Sequence, residues 1–100
     1  MANIRVTWQL PTTRESGRPL SVSEIQGVEI ALSADGGQNF VVIDTFPPNV
    51  TETMITELED GEWHVRGVVI AGKRSQPVVR SIVIDTSAPG PLQELKLELL

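Results

Sequence analysis

The sequence has no cysteine and no tyrosine, a single histidine, and four large aromatic side chains, Trp8, Phe40, Phe46 and Trp63. The missing thiols exclude a disulfide framework, a thiolate metal site and a cysteine nucleophile. Cations are scarce as well: eight Lys and Arg stand against 13 Asp and Glu, for a net charge of −5. No long-range positive field exists to gather a phosphate backbone, so nucleic acid is not an expected partner. The longest apolar run, residues 68–71, falls far short of the roughly 20 residues of a membrane helix, and membrane insertion is not expected. The opening Met1-Ala2-Asn3-Ile4-Arg5 lacks the basic stretch followed by an apolar one that marks a signal peptide.

What is present is ordinary globular usage, 40% apolar and 21% charged, in a chain of common single-domain size. A chain of this length buries about two-thirds of its unfolded surface and needs neither disulfide nor metal.

The apolar residues alternate. In residues 3–10, Ile4, Val6, Trp8 and Leu10 are interleaved with Arg5, Thr7 and Gln9, the period of a strand with one buried face. Pro11 stops that strand, and residues 12–23, with Gly17 and Pro19, read as a loop. A second strand spans 24–33, with Val28, Ile30 and Leu32 on one face and Glu29 and Ala31 on the other. Asp35-Gly36-Gly37-Gln38-Asn39 is turn chemistry, and residues 40–45 complete a hairpin. Pro47 and Pro48 break the sheet; strands follow at 50–58, 63–71 and 77–85, with turns at 59–62 and 72–75. Short strands punctuated about every ten residues, with no helical period, indicate an all-β sandwich or barrel.

Four segments follow one another: Val6-Thr7-Trp8-Gln9-Leu10-Pro11, then Gln26-Gly27-Val28-Glu29-Ile30-Ala31-Leu32-Ser33, then Leu58-Glu59-Asp60-Gly61-Glu62-Trp63-His64-Val65-Arg66, then Ala71-Gly72-Lys73-Arg74-Ser75-Gln76-Pro77. In that order they resemble strand B, strand C, the turn into strand F and the F-to-G loop of the fibronectin type III module, in the variety common in bacterial and phage proteins. The resemblance covers residues 3–86 and implies an immunoglobulin-like antiparallel β-sandwich of about six to seven strands. Two features depart from the family. Trp63 stands where the family has tyrosine, so the hydroxyl-to-backbone bond of the tyrosine corner cannot form, and the indole N–H is the donor left to replace it. Strand A is short or missing before residue 3, while Ala88-Pro89-Gly90-Pro91-Leu92-Gln93-Glu94-Leu95-Lys96-Leu97-Glu98-Leu99 looks like a strand A opening at the other end. Residues 1–87 thus read as the sandwich and 88–100 as a strand A-like tail or linker, in either a slice of a tandem array or a complete small protein.

No constellation points to catalysis, a cofactor or a metal. His64 alternates with Trp63 and Val65 and reads as a solvated group, with no serine tied to it by sequence. Ser33-Ala34-Asp35-Gly36-Gly37-Gln38-Asn39-Phe40 fits the Asp-box pattern, which raises a carbohydrate reading, but the stronger reading is a self-contained hairpin. Glu57, Glu59, Asp60 and Glu62 form an acidic turn whose spacing fits no calcium loop. Asn49-Val50-Thr51 is formally a glycosylation sequon.

The residues singled out are candidates for an interface. Val68 and Ile70 share the outward parity of His64 and Arg66 and are expected to form an exposed apolar patch, beside the charged loop tip of Lys73 and Arg74. Leu95, Leu97 and Leu99 alternate with Glu94, Lys96 and Glu98 as in a half-buried edge strand, which invites self-association by strand exchange; in the isolated protein a disordered tail or a short helix over residues 92–100 is the favoured alternative. The expected function is a non-catalytic structural or interaction module that binds protein partners within an extracellular assembly, such as a bacteriophage tail or a bacterial surface. The alternative is a carbohydrate-binding accessory module.

Overall fold

A computed structural model describes all 100 residues. Its strands are β1 (Ala2–Thr7), β2 (Gly27–Ser33), β3 (Val41–Phe46), β4 (Glu52–Leu58), β5 (Gly61–Ala71), β6 (Lys73–Arg74) and β7 (Val78–Ile84). One 3-10 turn, Val22–Glu24, precedes β2, started by the Ser21 hydroxyl and closed by the Glu24 carboxylate, which accepts from the Ser21 N–H at 3.0 Å. No helix is long and apolar enough to cross a membrane.

The strands make two antiparallel sheets. The smaller pairs β1 with β4; the larger runs β3-β2-β5, with β6 and β7 both on the far side of β5. Ile30 opposite Gly67 and Leu32 opposite Val65 fix the register of the larger sheet. The period-2 pattern of the sequence then decides what faces inward. Ile55 and Leu58 of the small sheet meet Ile84 of the large one, with Ile4, Val6, Leu32, Trp63 and Val65 packed around them. The two sheets therefore face each other across one core, as in a β-sandwich.

That core is thin, since ten residues of the chain are buried. Val28 and Ile30, expected inside, are among them; Trp63 and Val65 face inward but are half-buried. Trp8 lies just past the end of β1, half-buried against Phe46 with ring centroids 5.3 Å apart. The Trp63 indole N–H donates to the Glu59 carbonyl at 2.9 Å, tying the entrance of β5 to the turn before it.

Two bulges shape the sheets. Between Ala2 and Ile4 the pairing slips so that Thr56 and Glu57 together oppose Asn3. Glu57 occupies the left-handed region there, with φ +60°, and its N–H donates to the Asn3 side chain. In β3, Ile43 is the extra residue between Asp44 and Val42, which shortens the run of alternate faces along that edge.

Strand bounds differ from expectation in several places, and the first strand ends at Thr7, three residues before the Leu10 expected from alternation. The strand expected from residue 24 begins at Gly27, because residues 22–24 close a capped turn first. Residues 72–75, expected as a turn, hold the two-residue β6, which folds back on Ile70 and Ala71.

Candidate interaction surface

The outer face of the large sheet gathers most of the polar residues that drew attention in the sequence. Glu29 of β2 lies opposite Val68 of β5, and Arg74 of β6 opposite Ile70 on the other side of that same strand. Their side chains meet over β5 in a two-pronged ion pair of 2.6 and 3.0 Å. Arg66 adds a contact of 3.6 Å to Glu29, and its guanidinium stacks 4.7 Å above the Phe40 ring. The Arg74 hydrogen bonds, with the charges of both arginines, hold the Glu29 carboxyl below the usual range against the opposing effect of burial.

This arrangement changes the reading of Val68. Its outward parity is as expected, but it is 5% exposed and belongs to the buried set, and Ile70 is half-buried. The ion pair between strands on either side of β5 roofs this pair of side chains, so they do not form an open apolar patch. Lys73 and Arg74 are exposed, with Arg74 engaged by Glu29.

The Asp-box segment forms a closed loop between β2 and β3. The Ser33 hydroxyl donates to Asp35 Oδ1 at 2.6 Å; the same oxygen accepts from the Gln38 and Asn39 N–H groups, and Oδ2 accepts from the Asn39 side chain at 2.8 Å. These bonds, the Ser33 hydroxyl first, hold the Asp35 carboxyl far below its ordinary range. Gly37 has φ +86° and packs toward the His64 and Phe40 rings, so the loop folds over the outer face. Ala31 and Ser33 beneath it are buried on a face that alternation alone would expose.

The β2–β5 register sets Ser33 directly opposite His64, a proximity the linear sequence conceals. The constellation is not a nucleophile and base. The Ser33 hydroxyl proton goes to Asp35, its oxygen accepts from the Gly37 N–H at 3.1 Å, and the residue is buried; the imidazole contacts Glu62 at 3.3 Å instead. The acidic turn is likewise committed to the fold: Asp60 accepts from the Thr86 N–H and hydroxyl, joining the turn to the end of β7.

A further surface lies between the sheets. β1 pairs with β4 on one side only, and β7 with β5 on one side only. Between these two free edges the sandwich opens into a groove of about 330 Å³. Ile4 and Val6 form one wall, Val78 and Ile82 the other, and Ile30 and Val65 the floor. Although they face inward, Val78 and Ile82 are 55% and 42% exposed. Trp8 closes one end, its buried indole N–H without an acceptor, and Arg80 projects from β7 into the same opening.

Leu95, Leu97 and Leu99 are not brought to any of these surfaces. Residues 88–100 hold no strand or helix, and all three leucines are exposed. The groove escaped sequence reasoning because it arises from which strands go unpaired. Its one sequence signal is Arg80, a charge at an inward position between Val78 and Ile82.

Comparison with protein-family models, with curated proteins and with solved structures finds no match to this chain.

Proposed function

We propose that this chain is a non-catalytic interaction module of an extracellular assembly, with a fold of the fibronectin type III kind, and that it engages protein through the open side of its sandwich. The observation that carries this reading is the groove between β1 and β7, where inward-facing Val78 and Ile82 remain about half exposed beside an unpaired strand edge. A free edge offers backbone hydrogen bonds and the groove offers apolar pockets for alternate side chains, the two requirements of strand addition. The extracellular placement, on a virion or a bacterial surface, rests on the resemblance of residues 61–66 and of the strand A-like tail to modules of phage and bacterial proteins.

Ring placement favours protein over carbohydrate. Trp8 packs on Phe46, Phe40 lies under Arg66, and Trp63 turns into the core, so no ring stands as a free platform for a sugar. The engaged hydroxyl of Ser33 favours a non-catalytic role in the same way.

Val78→Glu combined with Ile82→Glu should release the chain from its native assembly while its sheet circular dichroism persists; retention of the folded variant would refute the groove as the binding surface. Antibody to the chain should label intact particles or cells, and labelling that appears only after lysis would refute the extracellular placement.

A further inference from the structure

We propose that the groove between β1 and β7 receives residues 94–99 of a second copy of this chain, laid antiparallel along the free edge of β1 with Leu95, Leu97 and Leu99 turned inward. This names the partner for the interaction module proposed above and rests on that reading.

The segment has the form of a strand without a sheet. Leu95, Leu97 and Leu99 are 78%, 94% and 99% exposed. Glu94 and Lys96, two residues apart, form an ion pair of 3.0 Å, as side chains on one face of an extended chain do. The segment also stands away from the body: the radius of gyration is 19.8 Å and the longest extent 73 Å, against about 13 Å for the radius of a compact chain of this length. Three alternating leucines in water are unfavourable, and an apolar groove with an open edge exists on every copy.

Length and polarity agree. Residues 94–99 are as long as β1, each about 20 Å when extended, and the registers that charge allows leave four residues of each strand opposed. Pro89 and Pro91 have no N–H to give a ladder, so pairing begins beyond them. The pole where β7 ends at Ile84 is the one where β1 begins, since Ala2 pairs with Leu58 and Ile84 with Gly61 across the intervening turn. A strand antiparallel to β1 must arrive at the opposite pole, beside Thr7. For the chain's own segment this means running back along the whole body and reversing; for a neighbour stacked at that pole it means continuing straight on.

Charge restricts the register. With the leucines inward, Glu94, Lys96 and Glu98 lie on the side of Arg5, whose side chain is 67% exposed and contacts Glu52 of β4 at 3.7 Å. Like charges directly opposite are disfavoured and opposite charges favoured. Glu98 opposite Arg5 sets Leu97 against Val6 and Leu99 against Ile4, and Glu94 opposite Arg5 sets Leu95 against Ile4. The free edge of β3 is a poorer acceptor, because its bulge at Ile43 interrupts the alternation an added strand must match. Each copy offers one segment and one groove on different surfaces, so the contact is heterologous and builds open chains.

The test uses full-length chains in sedimentation velocity. The parent should form species that grow with concentration, and Leu95→Asp with Leu97→Asp and Leu99→Asp should be monomeric. Val78→Glu with Ile82→Glu should also be monomeric, and an equimolar mixture of the two variants should give a capped 1:1 dimer and nothing larger, because one supplies the intact groove and the other the intact segment. If the groove variant does not fold, Arg5→Glu replaces it: association should weaken several-fold and return with Glu94→Lys and Glu98→Lys. A parent that stays monomeric, a mixture without the dimer, or an Arg5→Glu chain that associates as before would overturn the proposal. A monomeric parent whose β1 amides exchange faster when the leucines are replaced would place the segment in its own groove, which also overturns it. If the parent is monomeric while Val78→Glu with Ile82→Glu still releases the chain from its native assembly, the interaction module stands and only the second copy as partner falls.

Discussion

Asp35 accepts four hydrogen bonds inside the eight-residue segment 33–40, and a carboxylate so engaged is stabilised in its charged form. A folded pKa depressed below the unfolded value of about 3.9 contributes stability that is present above that value and lost as pH falls below it. Glu29, held by Arg74, and Asp85, held by the Ser87 hydroxyl and N–H, shift in the same direction. Urea titrations at pH 6 and pH 3 should therefore show a fall in stability toward acid, and Asp35→Asn should reduce that fall without abolishing it. An unchanged pH difference would show that Asp35 is not a main source. Glu57 illustrates the opposite case, a side chain in a conformation that suits glycine. Glu57→Gly should raise stability by up to about 1 kcal/mol, the cost of the left-handed region less the added chain entropy. The melting temperature would check it.

At the scale of elements, alternation made most of the strands legible. The faces of β2 and the outward parity of Val68 follow from period 2 and from no other information. What alternation cannot convey is what covers a face. Val68, Ala31 and Ser33 are buried on the outer side because Glu29 reaches Arg74, 45 residues away, and because the loop after Ser33 folds back. Those are events between strands, and the linear pattern holds no trace of them. Val68→Lys should accordingly cost about 2–3 kcal/mol, since it places an ammonium beneath Arg66 and Arg74 in a buried position. A melting temperature within a degree of the parent would show that the site is open after all. Trp63→Phe removes the bond to the Glu59 carbonyl and should cost about 0.5–1.5 kcal/mol.

The whole molecule joins a thin two-sheet body to an extended segment that contributes nothing to it. At dilutions where the parent is monomeric, Leu95→Asp with Leu97→Asp and Leu99→Asp should leave the melting temperature unchanged, as surface substitutions away from special features do. A clear loss would place those leucines against the body. The candidate surface was only half legible: the leucine segment is written in the sequence, whereas its groove depends on which edges of β1 and β7 stay unpaired. The shared pole of Ala2 and Ile84 also fixes how the molecule bears load. A pull between those two points acts across the strands, peeling β1 from β4 one hydrogen bond after another, as a zipper opens. A pull along a row of copies joined through seated segments acts parallel to β1 and strains every bond of the joint at once. The weak direction of the single molecule would then lie at right angles to the direction in which the row is pulled.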